Sequence, residues 1–245
     1  MEHRAVLFDV DGTLVDSNYL HVAAWLRAFA SLGRPVDGWR VHRAIGMDSG
    51  RLLGELLGPD ADRLGDAAKQ AHKHAYEATT QLLRPFAQTR ELISLLHGRE
   101  IAVVLATSAP AEEFALLRAT LDIDDLIAAT TDADDVDTAK PEPDVVRVAL
   151  ERVGVSPEQA IFVGDSVWDM QAATRAGVRA VGVRTGGVSG GELRAAGAAD
   201  VYDDPTDLIN NVAAWLDRDG LDRGGLELGG PELGGPELGG LTSSD

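Results

Sequence analysis

Apolar residues in this chain gather in short unbroken runs, separated by stretches with three- and four-residue periodicity. Ala5-Val6-Leu7-Phe8, Ile101-Ala102-Val103-Val104-Leu105, Ala160-Ile161-Phe162-Val163 and Ala180-Val181-Gly182-Val183 are such runs. Short runs containing β-branched residues predict strands buried on both faces of a parallel sheet. Residues 127–130 and 200–202 are fainter strand candidates. Between the runs lie helical patterns, such as 144–153 with Val145, Val148, Ala149 and Arg152 at helical spacing. Strand alternating with helix predicts an α/β fold, a doubly wound parallel sheet with helices on both faces.

One interval breaks the alternation. Residues 16–85 contain helical patterns and no convincing strand. Trp25, Leu26, Phe29 and Leu32 form one apolar stripe, and Leu52, Leu53, Leu56 and Leu57 a second, ended by Gly58-Pro59. Residues 69–83 are a third helix candidate. This predicts a helical domain, 16–85, inserted into a core made of 1–15 and 86–218. Such an insertion would sit over the strand ends, where doubly wound sheets bind ligands. From 219 to 245 the chain turns to a five-residue repeat of Gly, Pro, Glu and Leu, as in Pro231-Glu232-Leu233-Gly234-Gly235. Two glycines per unit suit neither helix nor strand, so the tail reads as disordered.

Composition narrows the chemistry. The 245 residues are 44% hydrophobic and 25% charged, which indicates a globular chain long enough to bury a core. With no cysteine, thiolate catalysis and Cys-ligated metal are excluded. Acidic residues outnumber Lys and Arg by 40 to 22, a formal charge of -18 that repels phosphate backbones and argues against nucleic acid. An anionic substrate would need local cations, and a bound metal is one source. The N-terminus has no signal-peptide pattern and no run is long enough to span a membrane, so a cytoplasmic protein with no membrane partner is expected.

Four polar segments close predicted strands. Asp9 and Asp11, in Phe8-Asp9-Val10-Asp11-Gly12-Thr13, are two apart and project to one side of an extended chain. Adjacent buried carboxylates repel, and a divalent cation, magnesium for hard oxygen ligands, resolves the repulsion. Thr107-Ser108 follows the second run, where hydroxyls and free N–H groups can hold phosphate oxygens, though such a pair also caps helices. Lys140-Pro141-Glu142-Pro143-Asp144 places a point charge in a stiff loop, and by itself reads more readily as a solvated lysine. Asp165 and Asp169, in Gly164-Asp165-Ser166-Val167-Trp168-Asp169, are four apart and share one face of a first helical turn, where capping alone would also place acids.

Together these residues fit phosphoryl transfer to a carboxylate. Asp9 would attack phosphorus, Lys140 and Thr107 would hold phosphoryl oxygens, and Asp11 would serve as acid and then base. Magnesium would lie between Asp9, Asp165 and the phosphate.

The four motifs, Asp9-Val10-Asp11-Gly12-Thr13, Thr107, Lys140-Pro141 and Gly164-Asp165-Ser166-x-x-Asp169, resemble in content and order those of the haloacid dehalogenase superfamily. The likeness is to its phosphatase branch with a helical cap, over about residues 4–215. It implies a Rossmann-like core, Asp9 as nucleophile and Asp11 as acid and base. It also implies magnesium held by Asp9, the main-chain carbonyl of Asp11 and Asp165, with Asp169 orienting the metal shell or Lys140. An acidic residue at Asp11 argues against halide chemistry. Within the superfamily the chain is similar to phosphoglycolate phosphatase and to β-phosphoglucomutase. His21-x-x-Ala24-Trp25 resembles the mutase pattern, whereas Gly164, where the mutase carries Glu, and Ala109 favour simple hydrolysis.

The expected activity is therefore hydrolysis of a small phosphorylated metabolite, with a phosphosugar mutase as the close rival. Phospho-accepting signalling domains and non-catalytic scaffolds are rivals of other classes. Ser108 of the core and His21, Arg43 and Arg51 of the cap complete the substrate-binding candidates, with Lys69, His72, Lys73 and His74 as further cap cations. A monomer or homodimer is expected.

Overall fold

The computed structural model describes residues 5–136 and 138–216. Among them, the apolar runs become the parallel strands β1 (Ala5–Phe8), β2 (Ala102–Ala106), β3 (Ala129–Thr131), β4 (Ala160–Gly164), β5 (Arg179–Val183) and β6 (Ala198–Tyr202). They form one sheet in the order β3-β2-β1-β4-β5-β6. Strand order therefore reverses between β1 and β4, whose register pairs Phe8 with Val163.

Between β1 and β2 run α1 (Asn18–Ser31), α2 (Gly38–Ala44), α3 (Ser49–Leu57), α4 (Ala61–Glu77) and α5 (Thr89–Gly98). The later strands alternate with α6 (Ala111–Leu121), α7 (Asp144–Val153), α8 (Val167–Arg175), α9 (Gly190–Ala195), α10 (Pro205–Asn210) and α11 (Val212–Leu216). Successive strand residues face opposite layers. Val6, Phe8, Leu105 and Val163 pack with Leu92 and Leu96 of α5 and Leu117 of α6. Leu7, Val104 and Phe162 pack with Val145 and Ala149 of α7 and Met170 of α8. Both faces are thus covered, which is why these strands read as continuous apolar runs. Each fully buried Leu, Val or Phe stabilises the sheet by roughly 1.5–3 kcal/mol.

Helices α1 to α4 form a cap with its own core, built on Trp25, Phe29, Val41, Leu52, Leu53 and Leu56. The chain enters and leaves this cap side by side. Val15 and Pro85 form an antiparallel bridge, Asp16 donates its N–H to the Arg84 carbonyl at 3.0 Å, and Phe86 donates to Leu14 at 2.9 Å.

Some expectations shift. The third cap helix begins at Ala61 and ends at Glu77, in place of 69–83. Gly58, at φ 55°, ends α3, and Ala61, Ala67, Ala68 and Ala71 propagate a new helix at once. Alanine carries helix propensity with little hydrophobic signal. The short α2 had no forecast. The two faint strands settle at Ala129–Thr131 and Ala198–Tyr202. The tail forecast for 219–245 lies outside the described residues. Among those described, no helix is long and apolar enough to cross a membrane.

Candidate active site

The strand ends flanking the reversal converge on one cavity of about 800 Å³ between the sheet and the cap. Open α/β sheets bind ligands at that point. Asp9 follows β1 directly, and its N–H is held by the Val163 carbonyl at 2.9 Å. Lys140 reaches it from the loop before α7. Its Nζ lies 2.5 Å from Asp9 Oδ1 and 2.8 Å from Asp169 Oδ1. The lysine is 2% exposed, so its charge is compensated by these carboxylates, with the Phe162 ring centroid 5.3 Å from Nζ. They overcome the burial that works against it and raise its pKa.

Asp165 closes β4. It accepts from Thr13 Oγ1 at 2.9 Å and from Asn18 Nδ2 at 2.8 Å. Asp169 is fixed by the first turn of α8, where its Oδ2 accepts from the Ser166 hydroxyl at 2.7 Å and the Ser166 N–H at 3.0 Å. This is a capping box, and it aims Asp169 inward. Gly12 turns the chain out of β1 at φ 74°, and a Cβ there or on Gly186 would collide with the Asp165 carboxylate.

Asp9, Asp165 and Asp169 each offer a carboxylate oxygen within 4.8 Å of the others. Lys140 neutralises one charge of the three. Burial, then repulsion from Asp169 and Asp9, raises the Asp165 pKa well above the carboxylate range. Burial likewise pushes Asp9 up to about 7, with Lys140 pulling against it and Asp169 and Asp11 adding to it. An all-oxygen, over-acidic, glycine-lined cradle fits a hard divalent cation, which would relieve the repulsion.

Thr107 is buried at the end of β2. Its N–H donates to the Thr131 carbonyl at 3.2 Å and its Oγ1 accepts from the Ala109 N–H at 3.0 Å. The neighbouring Ser108 Oγ is buried at the cavity wall and has no partner among the described residues. A phosphoryl oxygen would satisfy it.

Asp11 projects to the cap side. Its Oδ1 accepts from Ser17 Oγ at 2.5 Å and lies 3.4 Å from His21 Nε2. The same His21 nitrogen is 3.3 Å from Glu113 of α6, and Nδ1 is 3.2 Å from His72 Nε2. Burial works against a charge on His21, but Glu113 and Asp11 outweigh it and push its pKa up to about 10. Burial, then the charge on His21, holds His72 down to about 3. An imidazolium between two carboxylates accounts for this second cluster without a metal.

Of the expected cap cations, Arg51, Lys69, His72 and Lys73 line the cavity. Lys73 is paired with Glu112 of α6. Arg43 does not line it, because its guanidinium is taken up by Glu192 of α9. His74 is turned to Glu77 and is exposed. Sequence reasoning assigned no role to Thr13, Asn18 or Glu113. Thr13 stood in a quoted motif, but Asn18 meets Asp165 across 147 positions, and no local pattern announces that.

The haloacid dehalogenase-like hydrolase family model matches residues 3–177. A phosphoglycolate phosphatase of Pseudomonas putida is 30% identical over 208 residues, covering 82% of this chain and 76% of its own. A phosphorylated carbohydrates phosphatase of Thermotoga maritima is 30% identical over 210 residues, covering 84% of this chain and 97% of its own. A solved hydrolase from Pseudomonas syringae superposes with a TM-score of 0.82 at 34% identity, over 87% of this chain and 99% of its own.

Proposed function

The chain belongs to the haloacid dehalogenase-like hydrolases, and from that premise we propose that it is a magnesium-dependent phosphatase of a small phosphorylated metabolite. The observation that carries this reading is Asp9, set at the end of a buried parallel strand with Lys140 2.5 Å from its carboxylate.

A carboxylate oxygen of Asp9 attacks phosphorus. The new O–P bond forms as the bond to the leaving oxygen breaks, and Asp11 gives its proton to that oxygen. Asp11, now a carboxylate, takes a proton from water, whose oxygen attacks phosphorus and returns Asp9 to its starting state with release of phosphate. Lys140, Thr107 and Ser108 hold the remaining phosphoryl oxygens where negative charge accumulates. Asp9, Asp165 and the main-chain carbonyl of Asp11 would hold magnesium, with Asp169 orienting Lys140. When bound, that ion supplies the charge neutralisation that lets an anionic carboxylate approach an anionic phosphoryl group. Arg51 and His21 remain the candidates for contact with the leaving group. We assign 16–85 to the cap and 1–15 with 86–218 to the core.

Hydrolysis is favoured over transfer to a second sugar hydroxyl. A Cβ at Gly164 would lie 2.5 Å from the Asp169 Cβ, so the Glu of the mutase pattern has no room here without a shift of Asp169. The test is phosphate release from phosphoglycolate, glycerol phosphates, hexose phosphates and β-glucose 1-phosphate, with magnesium and with EDTA. Release that needs magnesium and disappears in Asp9→Asn supports the reading. Isomer formation without release replaces it with a mutase.

A further inference from the structure

We propose that Glu113 is a positioning residue for Asp11, acting through the imidazole of His21. The proposal rests on the acid and base role assigned to Asp11 above. His21 stands in the first turn of α1, is buried, and is gripped on every side. Tyr76 stacks on one face at a centroid distance of 4.1 Å and an interplanar angle of 10°. His72 is also stacked with it, at 5.3 Å and 14°. The ring therefore holds one orientation, with Nδ1 toward His72 and Nε2 toward the two carboxylates.

Ser17 Oγ donates to Asp11 Oδ1, and His21 Nε2 faces the same oxygen as an ion-pair contact at 3.4 Å. Oδ2 is left to carry the proton that goes to the leaving group. A carboxyl that rotates about its last torsion presents that proton in varying directions, because this torsion is broad. A hydroxyl donor and a ring nitrogen at one oxygen fix it. Glu113 keeps that nitrogen in place, since it is the only other carboxylate in contact with His21 Nε2 among the described residues. It sits on α6 of the core, so it ties the ring to the framework that also carries Asp11. Without it, Asp11 is the one carboxylate group left in contact with Nε2 among the described residues, and the ring loses its tie to α6.

A purely structural reading is that Glu113 only pins α1 to α6. Leaving-group chemistry separates the two. Glycerol 1-phosphate has a poor alkoxide leaving group that needs a proton, whereas p-nitrophenolate leaves without one. The measurement is the first-turnover rate of Asp9 phosphorylation with each substrate, for Glu113→Ala, Glu113→Gln, His21→Gln and Asp11→Asn. General acid catalysis is worth roughly 10²–10⁴-fold, and loss of its positioning should remove about tenfold of that. Glu113→Ala should slow glycerol 1-phosphate about tenfold and p-nitrophenyl phosphate less than twofold, with KM little changed, and His21→Gln should slow glycerol 1-phosphate more than p-nitrophenyl phosphate. Glu113→Gln, which keeps an acceptor oxygen, should lie between wild type and Glu113→Ala. Equal losses on both substrates, or a change confined to KM, would overturn the positioning role. Asp11→Asn should show the largest selectivity; if it slows both substrates alike, the acid and base reading of Asp11 falls and this inference with it.

Discussion

Asp165→Asn should make the metal-free protein more stable while abolishing its activity. Three carboxylate oxygens lie within 4.8 Å of one another, and Asp165 faces both Asp9 and Asp169. At 4.8 Å and an effective dielectric of about 20, each like-charge pair costs roughly 3 kcal/mol. Lys140 offsets about one of the two repulsions felt by Asp165. Replacing the carboxylate by an amide of the same shape weakens its bonds from Thr13 and Asn18, a loss of about 1 kcal/mol. The net gain is about 2 kcal/mol, or roughly 4–8 °C in Tm for a protein of this size. The assay is thermal unfolding followed by circular dichroism at pH 7.5 in EDTA. Because the pKa of Asp165 is raised above its unfolded value of 3.8, the folded state binds the extra proton. The wild type is then least penalised at low pH, and its deficit against the variant should shrink between pH 7.5 and pH 5. Excess magnesium should invert the order, since a ligand at 100 times its Kd adds about 2.7 kcal/mol to a protein that binds it. A variant that melts at or below the wild type in EDTA would refute the argument that this cluster stores repulsion for a cation to relieve.

Lys140→Met should lose activity by at least 10²-fold, the usual worth of a buried charge stabilising a transition state. It should also lose roughly 3–5 kcal/mol in urea unfolding, because two buried carboxylates lose their partner; adding Asp9→Asn should restore part of that stability and none of the activity. Arg51→Ala should raise KM for phosphate esters carrying a second anionic group and leave p-nitrophenyl phosphate nearly unchanged, measured by steady-state phosphate release. Equal effects on both would remove Arg51 from specificity. Gly164→Ala should displace Asp169 and with it Lys140, lowering kcat and costing roughly 1–3 kcal/mol by overpacking, read from activity and Tm together.

The sheet was legible because its strands are buried on both sides. Where Leu7 and Phe162 face one helical layer and Val6 and Val163 the other, burial leaves an apolar run that composition alone exposes. The charged strand ends were legible for the opposite reason: Asp9 and Asp165 interrupt those runs where nothing but a functional group belongs. The order of the strands was not legible, since it depends on how crossovers pack rather than on any one segment. Helix α4 was misplaced because Ala61–Glu77 owes its form to alanine more than to a strong apolar stripe. Partners such as Asn18 for Asp165, or Glu113 for His21, arise when separate elements fold together, and no spacing rule connects them. Arg43 illustrates the reverse failure. A cation beside a cap turn reads as a substrate contact until tertiary structure supplies Glu192.

The antiparallel bridge between Val15 and Pro85 has a modular meaning. An excursion that starts and finishes at hydrogen-bonded neighbours is anchored by two adjacent ends, and its first residues, Ser17, Asn18 and His21, are the part that reaches the catalytic carboxylates. Loop-closure entropy grows only with the logarithm of length, so exchanging the whole excursion for another of different size changes core stability by about 1 kcal/mol or less. Substrate preference can therefore be transplanted as a cassette. A chimera that keeps Ser17, Asn18 and His21 and carries a relative's helices from there to Phe86 should keep this chemistry and acquire the other protein's choice of ester.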